Sequence, residues 1–261
     1  MKLKHLIVAL PLTMTLWGCG PEDMMDEQAG AGAGQEVPTQ SAGSDETGSV
    51  EQEATSLGTY VWTAGEAAKP MGSSSNRVCF LTRIRGRFNG SGDAVHAYIS
   101  NGSWYLGGSG DTQAIARCVA GTPSREYGWV AGQSLPTYLG SNSGRVCFLT
   151  GVAGSFDGSG DWTRSYDEGG SWFLFGASQK GDSSAKARCM AVSSYTGLYS
   201  WSQGALAQIM RPTSSHVCAL MYMGGQFEGM GEYIDISPTG GYWYLGGASQ
   251  QWGVHGKSRC F

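Results

Sequence analysis

The segment RVCFLTGVAGSFDGSGD, residues 145–161, decides the fold because the chain contains it three times. The related segments are RVCFLTRIRGRFNGSGD at 77–93 and HVCALMYMGGQFEGMGE at 216–232. In every copy a Gly, a Phe, an acidic residue and a Trp follow the first Cys at offsets of +7, +9, +14 and +25, without a gap. A second Cys, preceded by Arg, closes each copy. Self-similarity at this spacing identifies a repeat protein.

The spacing of apolar residues within the repeated segment predicts β-structure. Apolar or small residues occupy every second position from Val146 to Phe156, and the same pattern runs from Val78 to Phe88 and from Val217 to Phe227. A period of two with one apolar face is typical of a half-buried strand. The chain also has 42 Gly residues, which favours strands and turns over helices. We therefore expect each copy to be an antiparallel meander of about five short strands.

The copies follow one another closely, at about 58–121, 125–192 and 197–261. Short connectors favour three packed sheets over three independent domains. The predicted fold class is therefore all-β, with three tandem antiparallel repeats in a pseudo-threefold body that resembles a β-prism or a β-trefoil.

Six of the seven Cys residues lie at the matched ends of the copies, which predicts one disulfide within each copy. The expected pairs are Cys79–Cys118, Cys147–Cys189 and Cys218–Cys260. A link between copies, such as Cys118–Cys147, is the alternative. Metal binding by these residues is disfavoured because the chain has no Cys-x-x-Cys pair.

The N-terminus has the pattern of an export signal. A basic start at 1–5 precedes an apolar run at 6–17, which is too short to span a bilayer. The run ends in Leu16-Trp17-Gly18-Cys19, which resembles the lipobox of bacterial lipoproteins. The resemblance implies removal of residues 1–18 and acylation of Cys19, the Cys left over from the pairing. Because Gly20 is not Asp, it also implies anchoring at the outer membrane or cell surface.

Residues 20–57 contain nine acidic residues, no Lys or Arg and no aromatic residue. Such a composition buries too little apolar surface to offset the entropy of ordering, so 19–57 is expected to be a lipidated, disordered linker. The repeat region at 58–261 holds 15 Lys and Arg against 12 Asp and Glu. This balance excludes nucleic acid as an expected partner.

Each copy carries a Gly-x-Gly-acid step that ends in Asp93, Asp161 or Glu232. We expect the glycines to receive the Trp further on in the same copy. The acids are expected either to pair with the Arg before each closing Cys or to line ligand pockets with it; those arginines are Arg117, Arg188 and Arg259.

Calcium is a weaker alternative for the same step. Asp157, Ser159 and Asp161 supply oxygens at every second residue, as at the start of a calcium loop. The third copy has Met230 between its acids, however, and Met offers no hard oxygen ligand. No other cofactor is expected.

The strongest functional lead is a Trp-aromatic-Leu triplet that occurs in each copy. Trp and Leu of the Trp-aromatic-Leu triplets share one strand face, which leaves the middle residue on the other face. These middle residues are Tyr105, Phe173 and Tyr244. Exposed aromatic rings suit stacking on sugar rings, although burial between sheets would account for them equally.

No catalytic constellation is evident. The chain has no Gly-x-Ser-x-Gly or His-Glu-x-x-His motif and no unpaired nucleophilic Cys in the repeats. The predicted function is therefore non-catalytic, lectin-like recognition of a polysaccharide or glycoconjugate by an exported, lipid-anchored protein. A structural or adhesive envelope component that binds protein partners is the alternative, and a secreted hydrolase is the third.

Overall fold

The computed structural model describes residues 56–251 and 253–261, which form eighteen β-strands. The first copy contributes β1 (Ser56–Thr63), β2 (Lys69–Ser73), β3 (Val78–Gly86), β4 (Ala94–Ser100), β5 (Ser103–Ser109) and β6 (Thr112–Val119). The second contributes β7 (Tyr127–Val130), β8 (Thr137–Ser141), β9 (Arg145–Ala153), β10 (Trp162–Glu168), β11 (Ser171–Ala177) and β12 (Ser184–Ala191). The third contributes β13 (Tyr199–Ser202), β14 (Gln208–Pro212), β15 (Cys218–Gly224), β16 (Tyr233–Thr239), β17 (Tyr242–Ala248) and β18 (His255–Cys260).

The strands form three six-stranded antiparallel sheets, and every sheet is shared by two copies. Sheet A has the order β1-β6-β3-β16-β17-β14, sheet B has β2-β5-β4-β9-β12-β7, and sheet C has β13-β18-β15-β10-β11-β8. In each sheet the first, third and sixth strands of one copy pair with the second, fourth and fifth strands of another. The all-β, pseudo-threefold class is confirmed. The five-stranded meander is wrong, because each copy has six strands and divides them between two sheets.

Three equivalent phenylalanines join the copies in a closed ring of backbone hydrogen bonds. The amide of Phe156 donates to the carbonyl of Phe88 (2.6 Å), that of Phe227 donates to Phe156 (2.6 Å), and that of Phe88 donates to Phe227 (2.7 Å). All three side chains are fully buried, and the ring of Phe88 lies 6.1 Å and 6.0 Å from the other two. The Phe at offset +9 therefore marks the threefold axis.

A second aromatic trio lies near the disulfides, and its members are not equivalent. Phe80 and Phe148, each directly after a first Cys, have ring centroids 5.0 Å apart. The third copy has Ala219 at that position. The ring of Phe261 lies 5.7 Å from Phe80 and 6.1 Å from Phe148 and completes the trio.

Close Trp–Gly packing occurs in every copy, but not where it was expected. A Cβ on Gly108, Gly176 or Gly247 would lie 2.6–2.7 Å from the ring of Trp62, Trp129 or Trp201, respectively. These tryptophans are on the first strand of each copy. The Gly-x-Gly steps do not receive Trp104, Trp172 or Trp243, and that prediction is wrong.

The three disulfides are Cys79–Cys118, Cys147–Cys189 and Cys218–Cys260, so the pairing is within each copy. Each joins directly opposed residues of the third and sixth strands. The bridges close loops of 39, 42 and 42 residues. Each would add about 4 kcal/mol of stability in the chain-entropy account.

The predicted signal segment, the lipobox Cys19 and the acidic linker lie outside the described residues, apart from the last two linker positions, which begin β1. Among the described residues, no helix has the length and apolar character needed to cross a membrane.

Candidate ligand-binding face

The three repeated acids hold the turns that precede the fourth strands. Asp93 Oδ2 accepts from the backbone amides of Asn89 (3.0 Å) and Gly90 (2.9 Å). Asp161 accepts from the amides of Gly158 (2.8 Å) and Gln179 (2.6 Å).

Glu232 follows the same rule, since it accepts from the amide of Gln250 (3.2 Å). Asp161 and Glu232 are fully buried. A buried carboxylate that accepts backbone amides stabilises its own loop and is closed to ligands. The described contacts of these acids are thus with the backbone of their own turns and loops.

The carboxylate oxygens that were candidate calcium ligands have other partners. Asp157 forms an ion pair with Lys180, and Asp161 is used by backbone amides. Among the residues that the structure describes, no group of three or more His, Cys, Asp or Glu side chains could hold a metal ion.

The arginines before the closing Cys contact tryptophans instead of the repeated acids. Arg117 lies over the ring of Trp243 (4.6 Å), Arg188 over Trp104 (5.3 Å) and Arg259 over Trp172 (5.6 Å). In every pair the two residues belong to different copies that share a sheet. The predicted pairing of the arginines with Asp93, Asp161 and Glu232 is wrong.

Tyr105, Phe173 and Tyr244 lie on the faces of sheets B, C and A that point away from the core. All three are half-buried, whereas Trp104, Trp172 and Trp243 are in the core. The inward and outward assignment of each triplet is therefore correct. The surroundings of the three outward rings differ from sheet to sheet.

On sheet C the outer face is a continuous aromatic surface, which we call the aromatic face. It is formed by six side chains from four adjacent strands: Tyr138, Trp162, Tyr166, Phe173, Phe175 and Tyr222. Phe173 lies between Tyr166 (5.6 Å) and Tyr138 (5.9 Å), measured between ring centroids. Trp162 stacks on Tyr222 at 6.0 Å with an interplanar angle of 10°.

The register shows that this surface is unique to sheet C. Residues directly opposed to one another in the three sheets identify the equivalent positions. In sheet B those positions hold Pro70, Ala94, Tyr98, Tyr105, Gly107 and Gly151, and in sheet A they hold Ile209, Tyr233, Ser237, Tyr244, Gly246 and Arg83. Sheet C therefore has six aromatic residues at these positions, whereas each of the other two sheets has two. The three faces do not form equivalent sites.

The aromatic face also carries positive charge. The guanidinium of Arg164 lies over Tyr166 (4.1 Å) and Trp162 (5.1 Å), and the ammonium of Lys257 lies over Tyr222 (5.2 Å). No carboxylate among the described residues forms an ion pair with either cation. Both charges therefore lack a counter-ion among the residues that the structure describes.

The corresponding charges on the other two sheets are neutralised. In sheet B the residue equivalent to Arg164 is His96, and its Nε2 atom lies 2.9 Å from the carboxylate of Glu126. In sheet A the equivalent residue is Asp235, which accepts two hydrogen bonds from Arg83 (2.9 and 2.8 Å).

One edge of the aromatic face is held by a short hydrogen-bond chain. His255 Nδ1 donates to the carbonyl of Gly253 (2.5 Å), which leaves Nε2 of the neutral ring to accept from the hydroxyl of Tyr222 (2.6 Å). Burial raises the pKa of Tyr222 to about 12, partly offset by the charge of Arg164. Tyr222 is thus a fixed, neutral part of the surface and is not an activated nucleophile.

Sequence reasoning identified Phe173 on this face and missed Trp162, Arg164 and Tyr222. The first two alternate with Tyr166 along one strand, so their common face was readable. Tyr222 lies in the next copy, and only the pairing of β10 with β15 brings it beside Trp162.

No protein-family model, curated protein or solved structure matches this chain.

Proposed function

We propose that the chain is a non-catalytic, lectin-like lipoprotein whose aromatic face binds a polysaccharide or glycoconjugate. The observation that carries this proposal is the concentration of six aromatic rings and two uncompensated cations on one of three otherwise equivalent sheet faces. Phe175 and Tyr222 also take part in packing, but the equivalent positions of the other two sheets hold only two aromatic residues each.

Aromatic rings on the outer face of a sheet can stack on the apolar faces of sugar rings. They offer a large contact area and lose few rotamers on binding. Arg164 and Lys257 extend the preference to acidic sugars, since both cations could donate to a carboxylate or sulfate. The preferred ligand is therefore an anionic glycan.

The cellular location of the protein is a separate part of the proposal. The Leu16-Trp17-Gly18-Cys19 lipobox supports export and lipid anchoring at the outer membrane or cell surface of a bacterium. Three disulfides suit an oxidising compartment outside the cytoplasm.

A protein partner in the envelope is the second candidate for the same face. Trp, Tyr and Arg are the residues that dominate binding energy in protein interfaces, and Tyr138 is 58% exposed. Glycan binding is preferred because the face carries cations along its aromatic row.

Binding of the purified, oxidised chain to a glycan array and to whole acidic and neutral polysaccharides tests the proposal. We expect Trp162→Ala and Tyr166→Ala to weaken binding about tenfold, since loss of an aromatic anchor costs on the order of 1–2 kcal/mol. Tyr105→Ala and Tyr244→Ala, on the other two sheets, are the matched controls and should bind normally. Binding should also survive a chelator.

Equal losses in all four variants would instead indicate three equivalent sites. The absence of binding to any glycan would overturn the lectin-like function and direct the search to envelope proteins.

A further inference from the structure

The three Arg–Trp contacts form a matched set of sites, and two of them contain a carboxylate from the chain itself. Arg188 lies 3.4 Å from Glu126 and donates to the carbonyl of Ser124 (2.7 Å). Arg259 forms an ion pair with Asp167 and donates to the carbonyl of Thr196 (2.9 Å). In both sites the guanidinium, buried at Arg188 and half-buried at Arg259, has an anionic partner.

Strand register identifies which residues of the Arg117 site are equivalent to the two acids, Asp167 and Glu126, of the other sites. Asp167 is directly opposite Trp172, and the residue opposite Trp243 is Pro238. Glu126 precedes Tyr127, which pairs with Ala187, so Glu126 faces Arg188 across the strands.

The residue that faces Arg117 in the same way is Thr59. Arg117 thus has Pro238 and Thr59 where the related sites provide an acid. No carboxylate of the described residues forms an ion pair with it.

Among the described residues, Asp235 is the acid whose charge acts on Arg117, and it already has a partner. Asp235 is bound by Arg83 through two hydrogen bonds of 2.9 and 2.8 Å. Burial lowers the pKa of Arg117, and the charge of Asp235 opposes that shift. An arginine still remains protonated under physiological conditions, so the site keeps a cation that no described residue neutralises.

A cavity of about 440 Å³ opens at this third site, between β1 and β6 of the first copy and the loop before β15 of the third copy. Arg117 and Trp243 form part of its wall, with the hydroxyl residues Ser56, Thr213 and Ser215. Among the residues that the structure describes, no Asp or Glu lines it. The volume is within the range of about 300–1,000 Å³ that small-molecule sites occupy.

Sequence differences at the equivalent positions account for the space. Arg259 also lies under the ring of Tyr195, 5.0 Å away, and Tyr195 is six residues before Trp201. The residue six positions before Trp62 is Ser56. A small residue thus replaces an aromatic ring, and a Pro replaces an acid.

From this comparison we infer that the cavity at Arg117 binds the carboxylate of a small external ligand, such as a uronic acid. The carboxylate takes the place that Glu126 or Asp167 occupies in the related sites and accepts from the Arg117 guanidinium. The hydroxyl groups of the wall satisfy the remaining polar atoms of the ligand. This site is on sheet A and is independent of the aromatic face on sheet C.

Calorimetric titration of the oxidised full chain with D-glucuronate, acetate and D-glucose tests the inference. We expect glucuronate and acetate to bind and neutral glucose not to bind at this site. Arg117→Gln should weaken the binding of glucuronate at least tenfold.

Pro238→Asp should also block binding, because it restores the acid that Asp167 supplies to Arg259. This variant keeps the charge of Arg117 and should unfold at a higher temperature than the parent, so a loss of binding would not reflect misfolding. Arg87→Gln is the matched control, because Arg87 is an exposed arginine that pairs with Asp111 and does not line the cavity, and it should leave glucuronate binding unchanged.

Three outcomes would overturn the inference. One is the absence of carboxylate binding to the parent chain, and another is binding that disappears with Arg164→Gln but not with Arg117→Gln. The third concerns Glu51 and Glu53, which precede Ser56 in sequence. If binding occurs only after Glu51→Gln and Glu53→Gln, the chain's own carboxylate is the occupant and an external ligand is not.

Discussion

Phe261 stacks on Phe148, with ring centroids 6.1 Å apart and an interplanar angle of 18°. Its backbone also exchanges two hydrogen bonds with Val217, at 2.9 and 3.0 Å. The third copy therefore obtains from Phe261, which directly follows β18, the aromatic ring that the first two copies place directly after their first Cys.

Phe261→Ala is expected to lower the free energy of unfolding by about 3 kcal/mol, at the low end for Phe→Ala because the ring is only partly buried. Phe261→Leu keeps apolar volume and should lose less than half as much. Denaturant unfolding of the oxidised proteins measures both values. Equal stability of Phe261→Ala and the parent would contradict a role for this ring in the core.

Gly176 allows Trp129 and the backbone of β10 to approach closely. A Cβ there would lie 2.6 Å from both the Trp129 ring and the carbonyl oxygen of Trp162. Gly176→Ala should therefore destabilise the fold by about 1–3 kcal/mol through overpacking. Gly197→Ala is the matched control, because a Cβ at Gly197 meets no atom within 4 Å and its backbone needs no positive φ. Thermal unfolding of both variants checks the difference.

Glu126 should make the stability of the protein fall in acid. Burial raises its pKa, but the hydrogen bond from His96 and the charges of His96, Arg188 and Lys186 outweigh it, so the pKa lies below the ordinary value of 4.5. The unfolded chain then binds the proton at a higher pH than the folded chain does. The stabilisation is present above about pH 4.5 and is lost as pH falls through the folded pKa.

Glu126→Gln should reduce this loss of stability between about pH 5 and pH 3. The exposed Glu168→Gln is a control of the same chemistry on the second copy. Denaturant midpoints measured across this pH window test the expectation. A parent-like acid slope in Glu126→Gln would show that other carboxylates control it.

Tyr222 should weaken the fold in strong base. Its pKa is raised to about 12 by burial, and an unfolded tyrosine ionises near pH 10. Between these values the unfolded state loses a proton that the folded state keeps, so stability falls as pH rises from about 10 to 12. Ultraviolet titration should show a tyrosine that ionises late, and Tyr222→Phe should remove that component. Its persistence in Tyr222→Phe would assign the late titration to another residue.

Several features followed directly from local patterns in the chain. Alternating apolar positions predicted the strands, because side chains of a strand point alternately to its two faces. Matched Cys positions predicted the disulfide partners, since each pair recurs at the same place in every copy. The inward Trp172 and outward Phe173 followed from the same alternation.

Other predictions failed where the partner of a residue lies in another copy. Asp161 and Arg188 recur together in sequence, but Asp161 binds backbone amides and Arg188 contacts Trp104 of the first copy. Nothing in the repeat pattern states which copy supplies the neighbour.

The sequence by itself determined the strands, the threefold repetition and the disulfides, because these depend on periodicity and composition along the chain. Only the tertiary structure decided that each copy divides its strands between two sheets. That division brings Trp162 beside Tyr222 on the aromatic face and leaves Arg117 opposite Thr59 and Pro238 without an acid. Both candidate sites lie between copies. The sequence of a strand determines which of its side chains share a face, but it does not determine which strand of another copy pairs with it.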